Sequence, residues 1–139
     1  MSRRTLHAGP LAVEIGVESG KLRSVELPPA VPEGIETSHL ADVVRQLACF
    51  PLDFADAPPF TQQVWMEMQK IPAGSALTYG ELAAAVGNPR AIRAVGQACR
   101  CNRMPLIIPC HRVLAAGGLG GFSLGLEWKR KLLELEAAG

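Results

Sequence analysis

A thiol stands beside an imidazole in Pro109-Cys110-His111-Arg112-Val113, directly after the apolar run Leu106-Ile107-Ile108. Cysteine is the strongest nucleophile among the side chains, but only as thiolate, and a neighbouring base or cation raises that fraction at neutral pH. Cys110 and His111 are adjacent, so in a strand their side chains would point to opposite faces. Direct contact between them needs a turn or a bridging water. On spacing alone two readings stay open, an activated nucleophile and a buried structural cysteine beside a hydrogen-bonded histidine. Cys99-Arg100-Cys101 with Cys110-His111 also offers four metal-ligating groups. The C-x-C spacing is not that of a zinc knuckle, and neighbouring ligands at 110 and 111 converge poorly, so no metal is expected.

The segment upstream supplies a partner for that chemistry. Phe60, Val64, Trp65 and Met68 have helical spacing, and Ile71-Pro72-Ala73-Gly74 breaks the helix. Thr78-Tyr79-Gly80-Glu81 is a capping-box pattern that predicts a short helix with Leu82 and Val86 inward, stopped by Gly87. Asn88-Pro89 then reads as N-cap and first-turn proline of a further helix, and two short helices joined this tightly resemble a helix-turn-helix. At 100° per residue, Ile92, Val95 and Cys99 fall on one side of that second helix. Arg90, Arg93, Gln97 and Arg100 fall on the other, with the small residues Ala94 and Gly96 beside them. A basic face bare of bulk can enter a groove and meet phosphates; the alternative is a solvated arginine face.

Around this lie less specific elements. Leu11, Val13, Ile15 and Val17 alternate as in a strand, Ser19-Gly20 is a turn, and Leu22 to Leu27 forms a second strand with a bulge between Leu22 and Val25. Thr37 or Ser38 is placed to cap a helix that buries Leu40, Val43, Val44 and Leu47. Pro51 to Pro59 is Pro-rich and acidic, so a linker is expected there, dividing an N-terminal unit (1–57) from a C-terminal one (58–139). Gly117 to Gly121 is a flexible wall without the Lys-Ser/Thr of a P-loop. Leu126 to Ala137 reads as a closing helix with Glu127 and Lys131 paired. The expected fold class is α+β, a small sheet unit with one helix followed by a mainly helical domain.

The chain has 139 residues, enough for one domain and a small appendage. It contains no apolar stretch long enough for a bilayer and no secretory h-region, so a cytoplasmic protein with reduced cysteines is expected, at the nucleoid if bacterial. The net charge of +1 hides an asymmetry: residues 1–60 carry five Lys/Arg against eight Asp/Glu, and residues 61–139 nine against five. The basic excess accompanies the cysteine–histidine pair, which suits a polyanionic partner.

Pro109 to Val113 resembles the signature of the O6-alkylguanine-DNA alkyltransferases, the methylated-DNA–protein-cysteine methyltransferases. Thr78-Tyr79-Gly80-Glu81-Leu82-Ala83, Gly87-Asn88-Pro89-Arg90-Ala91, Arg93-Ala94-Val95-Gly96, Asn102 and Leu132-Leu133-Glu134-Leu135-Glu136 resemble that family too, in its order and spacing. The likeness covers roughly residues 58–136 and extends weakly to the N-terminal strands. It implies removal of an alkyl group from guanine O6 in duplex DNA after the nucleotide is flipped into a pocket. By resemblance Cys110 takes the alkyl group once and keeps it, and Glu136 orients His111, which activates Cys110 through a water. Tyr79 pushes on the target phosphate and donates to guanine N3. Asn102 tethers the active-site turn, and Ser123 with the backbone of Val113 and Cys110 holds the base edge. Arg93 fills the gap the base leaves, on a DNA surface shared with Arg90, Ala94, Gly96 and Arg100. No cofactor is implied, and a monomer acting on double-stranded DNA with no membrane partner is expected.

Three residues depart from the family pattern: Phe122 where tyrosine is frequent, Leu124 where glycine is common, and Cys101 in place of glycine. Leu124 should narrow the pocket and slow reaction with O6-benzylguanine relative to the methyl lesion. The N-terminal unit also lacks the cysteine–histidine set of a structural zinc. Three rivals remain: an alkyltransferase-like binder, which Cys110 argues against, a helix-turn-helix regulator with an incidental cysteine, and a thiol hydrolase, which would turn over.

Overall fold

The computed structural model describes residues 1–122 and 124–138. Three antiparallel strands open the chain, β1 (Ser2–Ala8), β2 (Leu11–Glu18) and β3 (Lys21–Glu26), in the order β1-β2-β3. Strand β1 is an addition to the two strands expected from alternation. Its residues are almost all exposed, so it has no apolar alternation to read, and it forms because β2 offers seven paired partners. The bulge lies where the phase slips: Gly16 faces Ser24 and Val17 faces Leu22, leaving Arg23 without an opposite residue.

Helix α1 (Thr37–Leu47) packs on this sheet through Leu40, Val43 and Leu47. Its N-cap is Glu36, not Thr37 or Ser38, and the Glu36 N–H donates to His39 Nδ1 at 3.0 Å. Thr37 is instead drawn across the molecule, its hydroxyl donating to Leu135 O at 2.6 Å. The Pro-rich segment 51–59 is strapped along the outer edge of β3, with Leu22 N donating to Pro51 O and Asp53 N to Leu22 O. Asp56 receives both Arg103 terminal nitrogens and one from Arg23, and these guanidinium contacts hold its carboxyl down at about 2. Val25 N also donates to Arg103 O, so the open edge of the sheet is closed by chain leading to the cysteine.

Helices α2 (Pro59–Met68), α3 (Tyr79–Ala85) and α4 (Ile92–Arg100) pack together, and α5 (Leu126–Ala138) closes the molecule. Trp65 and Trp128 are both buried; the first donates to Ala98 O, the second to Pro28 O across the two halves. A two-residue parallel pairing joins β4 (Leu77–Thr78) to β5 (Val113–Leu114). That pairing sets the start of α3 beside the exit from the cysteine turn.

Two local expectations change. Helix α4 begins at Ile92, with Ala91 as N-cap, and Ala91 N donates to Asn88 O. Pro89 therefore sits at the second position of a turn, which suits proline as well as a first helical turn does. The preceding α3 ends in a Schellman motif, Gly87 N to Ala84 O and Asn88 N to Ala83 O, with Gly87 at φ +82°. On α5, Lys131 pairs with Glu134 rather than Glu127.

Candidate active site and DNA-facing helix

Residues 102–113 form an irregular loop that ends in a 3-10 turn at Cys110–Arg112. Pro109, at φ −82° and ψ 67°, is the centre of an inverse γ-turn closed by Cys110 N to Ile108 O at 2.8 Å. Leu106 is buried with φ +76°, a conformation costly for a branched side chain and retained only where surrounding contacts enforce it. Asn102 braces the loop on either side of it. Its Nδ2 donates to Ile108 O at 2.8 Å and to Cys110 Sγ at 3.1 Å, and its Oδ1 accepts from Met104 N at 2.9 Å. The 3-10 turn removes the strand geometry that would send the Cys110 and His111 side chains to opposite faces.

Cys110 is 5% exposed. Burial pushes its thiol up from the ordinary value, opposed by the Asn102 hydrogen bond and by the Lys129 charge. It rests as a thiol and needs a base. His111 Nε2 lies 3.0 Å from Glu136 Oε2. Burial alone would raise the Glu136 carboxyl, but hydrogen bonds and charge from His111 and Arg112 prevail and hold it at about 2. An ionised carboxylate accepts, so Nε2 carries the proton and Nδ1 of the neutral ring carries the lone pair. Nδ1 is buried with no hydrogen-bond partner among the described residues. Arg112 clasps the same carboxylate through Nε at 3.0 and 3.1 Å and through Nη2, while Nη1 donates to Ile71 O.

Above the sulfur opens a cavity of about 510 Å³, a size suited to a small planar ligand. Cys110 lines it together with Tyr79 from α3, Ile92, Arg93, Gly96, Cys99 and Arg100 from α4, and Gly121 and Phe122 from the glycine-rich loop. Val95, Ala98 and Cys99 form the buried stripe of α4; Arg93, Ala94, Gln97 and Arg100 face solvent. Ile92, expected inward, is instead 49% exposed and lines the cavity. The Tyr79 hydroxyl makes a long 3.5 Å contact with Gly121 O, and desolvation together with Cys99 and Cys110 raises its pKa, so it remains a donor at neutral pH. A Cβ on Gly120, at φ +73°, would stand 3.0 Å from the Tyr79 ring, so glycine lets the loop lie against it.

Not every expected residue faces this cavity. Arg90 lies exposed in the turn before α4. Val113 is fully buried; its N–H donates to Cys110 O and its carbonyl accepts from Lys129, so both backbone groups are already engaged. Leu124 lines a second cavity of about 380 Å³ between β3 and the cysteine turn, which Cys110 and Asn102 also touch. It therefore stands on the N-terminal side of the sulfur rather than in the wall of the first cavity. Ser123 lies outside the described residues.

Lys129 and Arg112 escaped the sequence reading. Lys129 is fully buried, and its Nζ donates to Val113 O at 2.7 Å and Gly121 O at 2.9 Å, stapling the cysteine turn to the glycine-rich loop. Desolvation lowers its pKa while Cys110 and Cys99 oppose that. In a run of Lys129-Arg130-Lys131 nothing local marks one lysine as inward; only packing does.

Residues 59–138 match the family model described as 6-O-methylguanine DNA methyltransferase, DNA binding domain. A methylated-DNA–protein-cysteine methyltransferase of Methanopyrus kandleri is 44% identical over 119 residues, covering 80% of this chain and 88% of that protein. The constitutive enzyme of that name from Bacillus subtilis is 42% identical, covering 73% and 68%. The crystal structure of Mycobacterium tuberculosis OGT in complex with DNA superposes with a TM-score of 0.78 at 31% identity, covering 98% of this chain and 92% of that one. A family match over more than half the chain, on a fold shared almost end to end, places this chain in the 6-O-methylguanine DNA methyltransferase family.

Proposed function

We propose that this chain repairs DNA directly, by moving the alkyl group from guanine O6 to Cys110 in one irreversible step. The observation behind this reading is the buried thiol at the floor of a cavity whose mouth carries the small, basic face of α4. Arg90 and Arg100 meet phosphates of the duplex while Ala94 and Gly96 permit close approach. The lesion is extruded into the cavity, and Arg93 takes its place in the stack.

In the chemical step, the thiol proton passes through a water to His111 Nδ1. Sγ attacks the alkyl carbon in line, an S–C bond forms, and the O6–C bond breaks with its electrons going to guanine. Glu136, ionised behind the ring, stabilises the imidazolium. The Tyr79 hydroxyl donates to N3 as negative charge develops on the base. The proton returns from His111 to guanine, leaving neutral base and a thioether. A thioether has no ready leaving group, so each molecule acts once. Asn102 holds the sulfur in place. The protein acts as a monomer on double-stranded DNA containing O6-alkylguanine, in the compartment that holds it; among the described residues no helix is long and apolar enough to cross a membrane.

Incubation with a duplex carrying tritiated O6-methylguanine, followed by digestion and mass spectrometry, tests this. Label is expected on Cys110, capped at one per molecule, and absent from Cys110→Ser. Repeated turnover would indicate a thiol hydrolase; binding without label would indicate a non-transferring alkylguanine binder.

A further inference from the structure

We propose that Ile92 is an apolar wedge that enters the duplex beside Arg93 and helps hold the nucleotide extruded. This inference rests on the repair reading above and adds a residue to it. Ile92 is the first residue of α4, exposed by half, and it lines the mouth of the cavity next to Arg93. It is no part of the buried stripe of α4. Its Cδ1 lies 3.8 Å from where a Gly80 Cβ would stand, so the side chain rests on bare α3 backbone one residue after Tyr79. A β-branched side chain in a helix has one strongly preferred χ1, which fixes the direction in which Ile92 leaves the lip.

An isoleucine left in water at the entrance to a site forgoes the stabilisation that burial would provide. Its neighbours say what covers it. The surrounding charges, Arg90, Arg93 and Arg100, are all cationic, which fits a polyanion and disfavours a generic apolar protein surface. Gly96, one turn after Ile92, has open space around its Cβ position and carries no side chain to hold a duplex away. Extruding a nucleotide leaves unstacked faces on the neighbouring base pairs. Proteins that unstack DNA from the minor groove insert leucine, isoleucine, phenylalanine or proline against such faces. A guanidinium satisfies the polar side of the gap, whereas the branched apolar side chain covers the stacking faces, so the two adjacent residues divide the task.

The test compares single-transfer rates on two substrates, duplex O6-methylguanine and free O6-methylguanine base, for wild type, Ile92→Ala and Ile92→Leu. Only the duplex must be unstacked, so the ratio of the two rates isolates the wedge from folding and from sulfur chemistry. The duplex-to-free-base ratio should fall about tenfold in Ile92→Ala, the loss expected from removing about three half-buried carbons. It should return to within about twofold of wild type in Ile92→Leu. An unchanged ratio in Ile92→Ala, or a Leu variant as impaired as the Ala variant, overturns the proposal. Wild-type protein that takes no label from the duplex would instead defeat the repair reading itself.

Discussion

Replacing Glu136 by glutamine keeps the shape of the side chain and removes its charge. In the folded protein that carboxylate accepts from His111 at 3.0 Å and from Arg112 at 3.0 and 3.1 Å, and its side chain is 6% exposed. Its pKa falls from the ordinary 4.5 to about 2. At roughly 1.4 kcal/mol per pH unit the difference corresponds to about 3.5 kcal/mol of folding stability, which fraying near the end of α5 reduces to about 2 kcal/mol. Because the folded value is depressed, this stability is fully present above pH 4.5 and is lost as the pH falls through about 2. Glutamine does not titrate, so the gap between the two proteins should follow the same course. Urea unfolding at a series of pH values from about 7 down to about 2.5 should show wild type ahead by about 2 kcal/mol at neutrality, the gap to Glu136→Gln narrowing steadily toward the acid end. The methyl-transfer rate at pH 7 should fall about a hundredfold, since the imidazole tautomer is no longer dictated. A stability gap independent of pH, or none at neutrality, would refute the assignment of Glu136 as the ionised partner of His111 and Arg112.

Three further outcomes are expected. Asn102→Ala removes three hydrogen bonds that pin the cysteine loop and should cost about 2–3 kcal/mol, seen as a lower melting temperature, together with slower transfer; an unchanged melting temperature would mean that the loop is held by its apolar packing alone. Alkylation of Cys110 by iodoacetamide, read by mass spectrometry, should accelerate with rising pH and have its midpoint above that of a free thiol, because burial raises the Cys110 pKa. Removing the nearby cation in Lys129→Met should move that midpoint to still higher pH; a midpoint that stays put would show that Lys129 staples the loop without acting on the sulfur.

The local devices were legible because they are written in adjacent residues. The Thr78–Glu81 capping box forms as its spacing demands, and Gly87 ends α3 because a left-handed residue is needed there. The bulge near Arg23 followed from a slip in alternation. Cys110, His111 and the basic side of α4 could be marked by residue type alone, since nucleophiles and unshielded arginines are rare combinations. The polar strand β1 could not, because its pairing belongs to β2; nor could the start of α4, since Asn88-Pro89 suits a turn and a helix equally.

What tertiary structure decided is which charges lie inside. Lys129 and Lys131 are two residues apart, yet Lys129 is sealed against Val113 and Gly121 while Lys131 reaches out to Glu134. Glu136 meets the cysteine turn only because α5 folds back across some 24 residues to reach Arg112. Chain composition determines which groups can ionise or attack; the distances and dielectric that set their pKa values arise only when remote segments exclude water together.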